Sequence, residues 1–511
     1  MTTSSVRYAS HMAHPADDII ALMHLPSQED KEVIRKAYSF AEVAHGEEKR
    51  KSGEPYIVHP HAIARHLADI GMDRDTIVAG ILHDTTEDTA TSIETIEKEF
   101  GPTVRFLVES LTKLSKLKYH GLERHVESLR HLLVATASDI RVIIIKMADR
   151  LHNMQTIQYV TPEEKRIRIA RDTMEVYVPI AERLGMGNMK AELEDLAFSV
   201  LEPKRYHDVV NTIADRKKEV GFRLEEDIKD LKRRLAENGL RSFRTEYRLK
   251  GAHSFFQKAS KKYDNDFSRV YDLFALRVVV KSTEDCYRAL GIVHGLWRPI
   301  PGKVKDYIAF PKPNGYRSIH TTVITHRGVT VELQLRTEEM HRTAQFGIAS
   351  HFGYKHRGVQ QTTLEWVQSL LPSLRRRDHL LQDSPRWLSE LSTVEREHPD
   401  FERFEDMLKR DFFAERIFAF TPRGDVIDLP VEATPVDFAY NIHSDIGNTM
   451  MGAKVNGKLV SLDTTLKNGD MVEIVTKKSA RPNKKWLDLA KTASAKAHIR
   501  STLRKLGESD S

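Results

Sequence analysis

An apolar run of Ile77, Val78, Ala79, Ile81 and Leu82 breaks directly into His83-Asp84-Thr85-Thr86-Glu87-Asp88, the densest polar chemistry in the chain. The run predicts a buried helix with Asp73 as its N-cap. Continued, that helix sets His83 over Glu87 and Asp84 over Asp88. Ile144, Met147, Leu151 and Met154 mark the buried stripe of a second helix, on which Asp149, Asn153 and Thr156 share another face. A turn-rich segment from Arg50 leads into a third, with Pro60 at its first position and His59 at its cap. Residues 201–240 read as a charged, solvated connector helix. From Arg244 strands alternate with helices. Residues 274–280 form a buried strand with Asp272 at its mouth. Residues 331–336 alternate, with Val331, Leu333 and Leu335 on one face and Glu332, Gln334 and Arg336 on the other. Tyr316, Ser318 and His320 share a face of a further strand. Downstream, a hairpin turns at Pro422 to Asp425, Thr434 caps a short helix that opens on Pro435, and Asn456-Gly457 and Asn468-Gly469 mark tight turns.

At 511 residues the chain is too long for one core, and two to four domains are expected. Its 40% hydrophobic and 30% charged content suits a soluble protein. No apolar run reaches membrane-span length, so no membrane association is expected. The segment from Met1 to Ala16 lacks a signal peptide's apolar core, which predicts a cytoplasmic protein. Cys286 is the only cysteine, excluding an internal disulfide and any Cys-rich zinc module. The net charge of +6 is concentrated in the tail, where Lys477 to Lys505 carries ten Lys/Arg against Asp488. Such a stretch is either a solvated basic helix face or a surface for a polyanion such as RNA.

Four ionisable groups at the end of an apolar helix are costly to bury without compensation. His83 and Asp84 supply one imidazole and one carboxylate to a divalent cation, and Glu87 and Asp88 would flank the attacking water. His59 and Asp149 are candidates for the remaining ligands. The plainer alternatives are a structural histidine and an aspartate ion-paired with Arg150. A His2Asp2 set favours Mn, Fe or Zn over Ca. In the second region Asp272, Glu332, Arg336, Tyr316 and His320 would line a polar cleft. There two carboxylates could hold Mg2+, and Lys303, Lys305 and Lys312 could meet phosphates, as phosphoryl transfer requires. An ordinary half-solvated sheet face is the alternative.

Arg50-Lys51-Ser52-Gly53-Glu54-Pro55 through His59, then HDTTED, then Ala148-Asp149-Arg150-Leu151-His152-Asn153-Met154, closely resemble the HD hydrolase domain of Rel/SpoT-type proteins, which degrade the alarmone (p)ppGpp. The resemblance implies that His59, His83, Asp84 and Asp149 hold Mn2+ and that Glu87 and Asp88 activate water. Arg50 and Lys51 would neutralise phosphate charge, and Asn153 and Thr156 would line the nucleoside pocket. A generic HD phosphodiesterase competes on HDxxED alone.

The segments 271–277, 305–321 and 332–337 are similar to the (p)ppGpp synthetase domain, which transfers pyrophosphate from ATP to the 3′-OH of GDP or GTP. Carried over, Asp272 binds Mg2+, Glu332 binds metal or activates the hydroxyl, and Tyr316 stacks on guanine. Arg248 and Arg277 would sandwich adenine, and Lys250, Ser254 and Lys258 would hold ATP phosphates. Lys303, Lys305, Lys312 and His320 would face acceptor phosphates, with Asn314 and Gln334 nearby.

The chain departs from that pattern in places. Tyr247-Arg248-Leu249-Lys250 replaces Gly-Arg-Pro-Lys, Gly251-Ala252-His253 replaces His-Ile-Tyr, Gln345 replaces a Glu and Phe352 a Trp. Synthesis is therefore expected to be present, with these changes as the places where it could be weak. Residues 437–443 match the helix of a TGS domain, a β-grasp module, with His443 implied as a tRNA contact. Long relatives continue into regulatory domains after such a basic helix. This chain stops there, either as a short natural form or as a cut sequence.

The expected architecture is multidomain α+β. It comprises an all-α HD hydrolase domain (25–200), a connector (201–240), a mixed α/β nucleotidyltransferase-like synthetase domain (241–395), a β-grasp TGS domain (412–477) and a basic helical tail (478–511). Implied partners are (p)ppGpp, ATP, GDP/GTP and, through the TGS domain and tail, tRNA and the ribosome. The alternatives are a hydrolase with a nucleotide-sensing second domain and a ribosome- or tRNA-binding regulator with decayed catalysis.

Overall fold

The computed structural model describes residues 14–115, 139–270, 273–312, 314–351, 416–423, 426–467, 469–477 and 479–505. The chain divides into two compact units, one made of residues 1–118, 131–310 and 317–358, the other of 119–130, 311–316 and 359–511.

The first unit opens with an all-helical half. Its helix Gln28–His45 starts in a Ser27/Asp30 capping box and stops at Gly46, which takes a φ of 51°. Asp73 caps Arg74–Leu82 as expected, its carboxylate accepting the Thr76 N–H at 3.1 Å. Every residue of that helix from Thr76 to Leu82 is buried, so it runs through the middle of the core rather than along a face. Around it stand Ile34 and Ala37, Ile63 and Leu67, Leu107 and Val108, and the stripe Ile144, Met147, Leu151 and Met154.

Two details differ from expectation. Helix Val58–Asp69 is capped by Ile57, which puts His59 and Pro60 inside the first turn, where proline's missing N–H costs nothing. The central helix ends at Leu82, and a turn at His83 and Asp84 separates it from the short helix Thr85–Asp88. The four polar groups therefore do not ride on one continuous helix.

The 35-residue helix Pro203–Glu237 buries Val209, Leu224, Leu231 and Leu235 in the same core as the following sheet. Its buried Asp227 is met by Arg327 at 2.8 Å. The sheet runs β1 (Phe243–Leu249), β2 (Phe274–Val280), β6 (Thr330–Thr337), β5 (Ile319–Ile324), β3 (Arg298–Pro299), with β4 (Lys305–Asp306) on β5. Only β2 and β6 are parallel. Val331, Leu333 and Leu335 face helices Ala252–Tyr263 and Thr283–Leu296, as the alternation predicts. Arg336 does not follow: at 1% exposure it is buried, because helix Glu338–Phe346 folds back over that end of the polar face. Ser318 also turns inward, donating to Leu335 O at 3.2 Å, since β5 and its two-residue period begin only at Ile319.

In the second unit β7 (Arg416–Phe420) pairs with β8 (Val426–Pro430), and β10 (Lys458–Val460), β9 (Met450–Val455) and β11 (Val472–Thr476) form a three-stranded sheet. Thr434 and Pro435 open helix Pro435–Ile442 as expected, and Asn456 and Gly457 take the positive φ values of a tight hairpin turn. Gly424, Asp425 and Asn468, named in the other expected turns, lie outside the described residues. Asp437 is buried and accepts from the Lys491 and Thr492 N–H groups at 2.9 and 2.8 Å, tying this helix to the tail. Helix Ala493–Lys505 buries Ile499 and Leu503 against Tyr440 and Trp486, so the basic tail is docked along one face.

The two halves of the first unit meet backbone to backbone. A Cβ on Gly347, whose φ is +56°, would fall on the backbone of Leu184, Gly185 and Met186. Gly347→Ala should therefore destabilise the chain by about 3 kcal/mol in denaturant titrations. Gly302→Ala, at a φ of +70° with nothing within 4 Å, should cost about 1 kcal/mol.

Candidate active sites

The first site gathers at the C-terminal end of the central helix. Donor atoms of His59, His83 and Asp149 lie within 4.8 Å of one another, and all three residues are buried. Asp84 joins them: its Oδ2 is 3.0 Å from His83 Nε2 and 3.5 Å from His59 Nε2. His59 Nε2 also lies 3.4 Å from Asp149 Oδ1. Lys146 donates to the other Asp149 oxygen at 2.8 Å. Arg150, the partner weighed from the sequence, instead stacks over the Tyr177 ring at 4.2 Å. Asp149 is thus both ion-paired and turned toward the histidines. Burial opposes its charge, but Lys146 and the imidazoles outweigh it and hold the carboxyl well below its usual range.

Ligand tautomers follow from the hydrogen bonds. His83 Nδ1 donates to Gly80 O at 2.9 Å, so its Nε2 faces the cluster, buried, with the Asp84 carboxylate 3.0 Å away. A buried nitrogen aimed at two carboxylates and beside a second imidazole fits a divalent cation. Burial alone would push this imidazole down; Asp84 outweighs it and pushes it up to about 9, as expected for a group aimed into a negative pocket. His59 Nδ1 lies 2.7 Å from His152 Nδ1, and Arg50 Nη1 approaches the same atom at 3.1 Å. Burial, His59 and Arg50 push His152 down to about 4, keeping it neutral.

Arg50 also donates to Asn153 Oδ1 at 3.0 Å, while the Asn153 amide donates to Asp149. Thr156 bonds back to His152 O at 3.0 Å. Tyr56 places its hydroxyl 2.8 Å from Asp84 Oδ2 and 2.9 Å from Asp88 Oδ2. Burial and those carboxylates hold its phenol far above its usual range, so it remains a donor. Asp88 and Lys51 are exposed and Glu87 is half-buried, all toward the open side. Tyr56, Lys146 and His152 had no role in the sequence reading. His152 lay inside the quoted motif, three residues past Asp149, which is the spacing that puts it beside His59's partner.

The second site lies on the polar face of the sheet, opposite helices Ala252–Tyr263 and Thr283–Leu296. Register sets Glu332 opposite Thr322, Gln334 opposite both His320 and Arg277, and Arg248 opposite Ala275, all on one face. Glu332 Oε1 is 3.3 Å from His320 Nδ1 and accepts from Gln334 at 2.9 Å. Burial would raise Glu332, but His320 outweighs it and the carboxyl is pushed down to about 2. Lys305 pairs with His320 across β4 and β5, and Lys303 is exposed just before. Arg277 is buried between Gln334 at 3.3 Å and Glu246 at 3.7 Å. Asp272 and Phe352 lie outside the described residues. Lys312, Asn314 and Tyr316 fall in the strip grouped with the second unit, where Lys312 Nζ sits 5.4 Å over the Tyr316 ring.

Lys250, Ser254 and Lys258 surround the start of helix Ala252–Tyr263. The backbone N–H groups there are already engaged: Asp195, from helix Gly187–Leu201, accepts from Ala252 at 3.2 Å and His253 at 2.9 Å. Glu194 accepts from the Ser254 hydroxyl at 3.2 Å. In the second unit His443 uses its Nδ1 to accept the Asp445 N–H at 3.1 Å.

Residues 37–187 match the HD domain family, 247–359 the region found in RelA / SpoT proteins, and 417–476 the TGS domain. An HD domain implies a divalent metal, and the His59, His83 and Asp149 donors suit one. The chain is 44% identical over 470 residues to the probable guanosine-3′,5′-bis(diphosphate) 3′-pyrophosphohydrolase of Synechocystis, covering 92% of this chain and 60% of that protein. It is 44% identical over 477 residues to the GTP pyrophosphokinase of Streptomyces coelicolor, covering 92% and 55%. To the bifunctional (p)ppGpp synthase/hydrolase SpoT of Escherichia coli it is 40% identical over 492 residues, covering 96% and 67%. The chain thus spans 55 to 67% of the length of these relatives. Their extent and identity, with three matched domains along one chain, show that it belongs to the RelA/SpoT family.

Proposed function

We propose that the chain turns over guanosine alarmones, hydrolysing (p)ppGpp to GDP or GTP and pyrophosphate in the HD domain. The observation that carries this reading is the His59, His83, Asp84 and Asp149 cluster, with Arg50 hydrogen-bonded into the network around it. The names of the similar proteins support it. The mixed imidazole and carboxylate donors suit Mn2+, which when bound acidifies a water and offsets phosphate charge. Glu87 and Asp88 take the proton of the attacking water, and Tyr56 holds Asp88 in place. Arg50 and Lys51 offset charge on the departing pyrophosphate. Thr156 and the outer edge of Asn153 meet the nucleoside.

In the second domain the reaction we propose is pyrophosphate transfer from ATP to the 3′-OH of GDP or GTP. Asp272 and Glu332 serve Mg2+ and the hydroxyl, and Arg248 and Arg277 take the adenine. Lys250, Ser254 and Lys258 hold the ATP phosphates, while Tyr316 stacks on guanine. Lys303, Lys305, Lys312 and His320, with Asn314 and Gln334, address the acceptor. The TGS domain and its docked basic helix would meet a tRNA end or the ribosome, with His443 at that surface.

Asp195 favours a second reading, in which synthesis is weak and the domain mainly senses nucleotide. A helix N-terminus is where phosphate oxygens would sit, and here a carboxylate holds its N–H groups.

Assays of both reactions on the full chain test these assignments. His83→Ala should abolish Mn-dependent pyrophosphate release, falling at least 100-fold, and leave synthesis in place. Glu332→Gln should do the reverse; loss of neither reaction in its own variant rejects the pair of sites. Asp195→Ala should lower the KM for ATP several-fold, and an unchanged KM rejects the carboxylate as a competitor.

A further inference from the structure

We infer that His152 is a positioning residue, whose Nδ1 lone pair both fixes the metal-binding tautomer of His59 and seats Arg50. The inference rests on the metal-hydrolase reading above. An arginine guanidinium can only donate, so the nitrogen that Arg50 Nη1 approaches at 3.1 Å is an acceptor and carries no proton. His59 Nδ1, 2.7 Å from that same nitrogen, must then be the protonated one. With its proton on Nδ1, His59 turns a bare Nε2 toward Asp149 at 3.4 Å and Asp84 at 3.5 Å, the state a metal ligand needs. Gly80 O performs the same service for His83 with a backbone carbonyl.

His152 goes further, because its one acceptor is shared with a substrate-facing group. From His59 the hydrogen bonds run to His152, to Arg50, to Asn153 and to Asp149, whose Oδ1 lies 3.4 Å from the bare Nε2 of His59. Two metal ligands and the proposed phosphate-binding arginine therefore belong to one hydrogen-bonded chain. Moving the Nδ1 acceptor would disturb ion affinity and substrate affinity together.

The side chain that can replace this function is asparagine, whose Oδ1 lies as many bonds from the backbone as histidine Nδ1. Leucine keeps bulk and removes the acceptor; glutamine carries its oxygen one bond too far. The test is calorimetric titration of Mn2+ into chelator-stripped full-length protein, alongside ppGpp hydrolysis at saturating Mn2+. His152→Leu should weaken Mn2+ binding about 10- to 100-fold, the usual effect of losing a ligand's hydrogen-bond partner. It should also raise the KM for ppGpp through Arg50. His152→Asn should bind Mn2+ within about threefold of the parent and restore the KM. His152→Gln serves in place of the leucine variant if that one does not fold, and should resemble it. Equal losses in the asparagine and leucine variants, or no loss in either, overturn the acceptor role. A parent protein that neither binds Mn2+ nor hydrolyses ppGpp overturns the metal reading itself, which is a separate result.

Discussion

Everything at the first site follows from carrying carboxylates and imidazoles into a dry core. The central helix is buried from Thr76 to Leu82 and delivers His83 at 3% exposure, with Asp149 at 7% and His59 at 3% beside it. Unpaired, such groups would cost several kcal/mol each. The chain offsets that cost with Lys146 on Asp149, Tyr56 on Asp84, and backbone or imidazole acceptors behind each ligand histidine. Even so, two carboxylates face one ammonium and two imidazoles. The remaining negative balance gives a divalent cation its place, and explains why Asp84 can raise His83 against burial.

The second domain uses the same device more sparingly. Glu332 stays ionised because His320 reaches it from the neighbouring strand and Gln334 from two residues along its own, on the same face. A sheet fixes such neighbours through the period of two, whereas the helical site needs residues from three separate helices and a turn. The helical site is accordingly tied by long-range bonds, Arg50 to Asn153 and His59 to His152, and the sheet site by neighbours on adjacent strands.

These differences decided what could be read from the chain alone. The His59, His83, Asp84 and Asp149 set, the in–out alternation of β6 and the Thr434-Pro435 helix start were legible, because each depends on local spacing or on an apolar stripe. The break at His83 and Asp84 was not, since a helix and a helix followed by a turn share the same residue types over six positions. Arg336 was misplaced for another reason: alternation gives the face of a strand, not whether a later helix will cover it. Tyr56 and Asp195 act across contacts between elements, and no sequence period encodes those; Lys146 stands three residues before Asp149 on the same helix, a pair that helical spacing does encode.

The segment 247–253, proposed to hold ATP, is where a sequence departure and a structural contact meet. Gly251 stands where the resemblance to the synthetase pattern implies a histidine, and a Cβ there would meet Asp195 Oδ2 at 2.8 Å and Oδ1 at 3.1 Å. Glycine leaves room for the carboxylate to close onto the Ala252 and His253 N–H groups, where a larger residue would make the Asp195 side chain shift. Asp195 is raised by its own burial and receives only backbone donors in return, so the contact is held by the helix end rather than by a cation. A phosphate seeking the same N–H groups meets a negative charge already in place, and its binding requires helix Gly187–Leu201 to withdraw or the Asp195 side chain to rotate away. That helix also carries Gly187, where a Cβ would meet Ala344 O at 2.7 Å, so the contact at Gly251 and this close backbone approach share one helix.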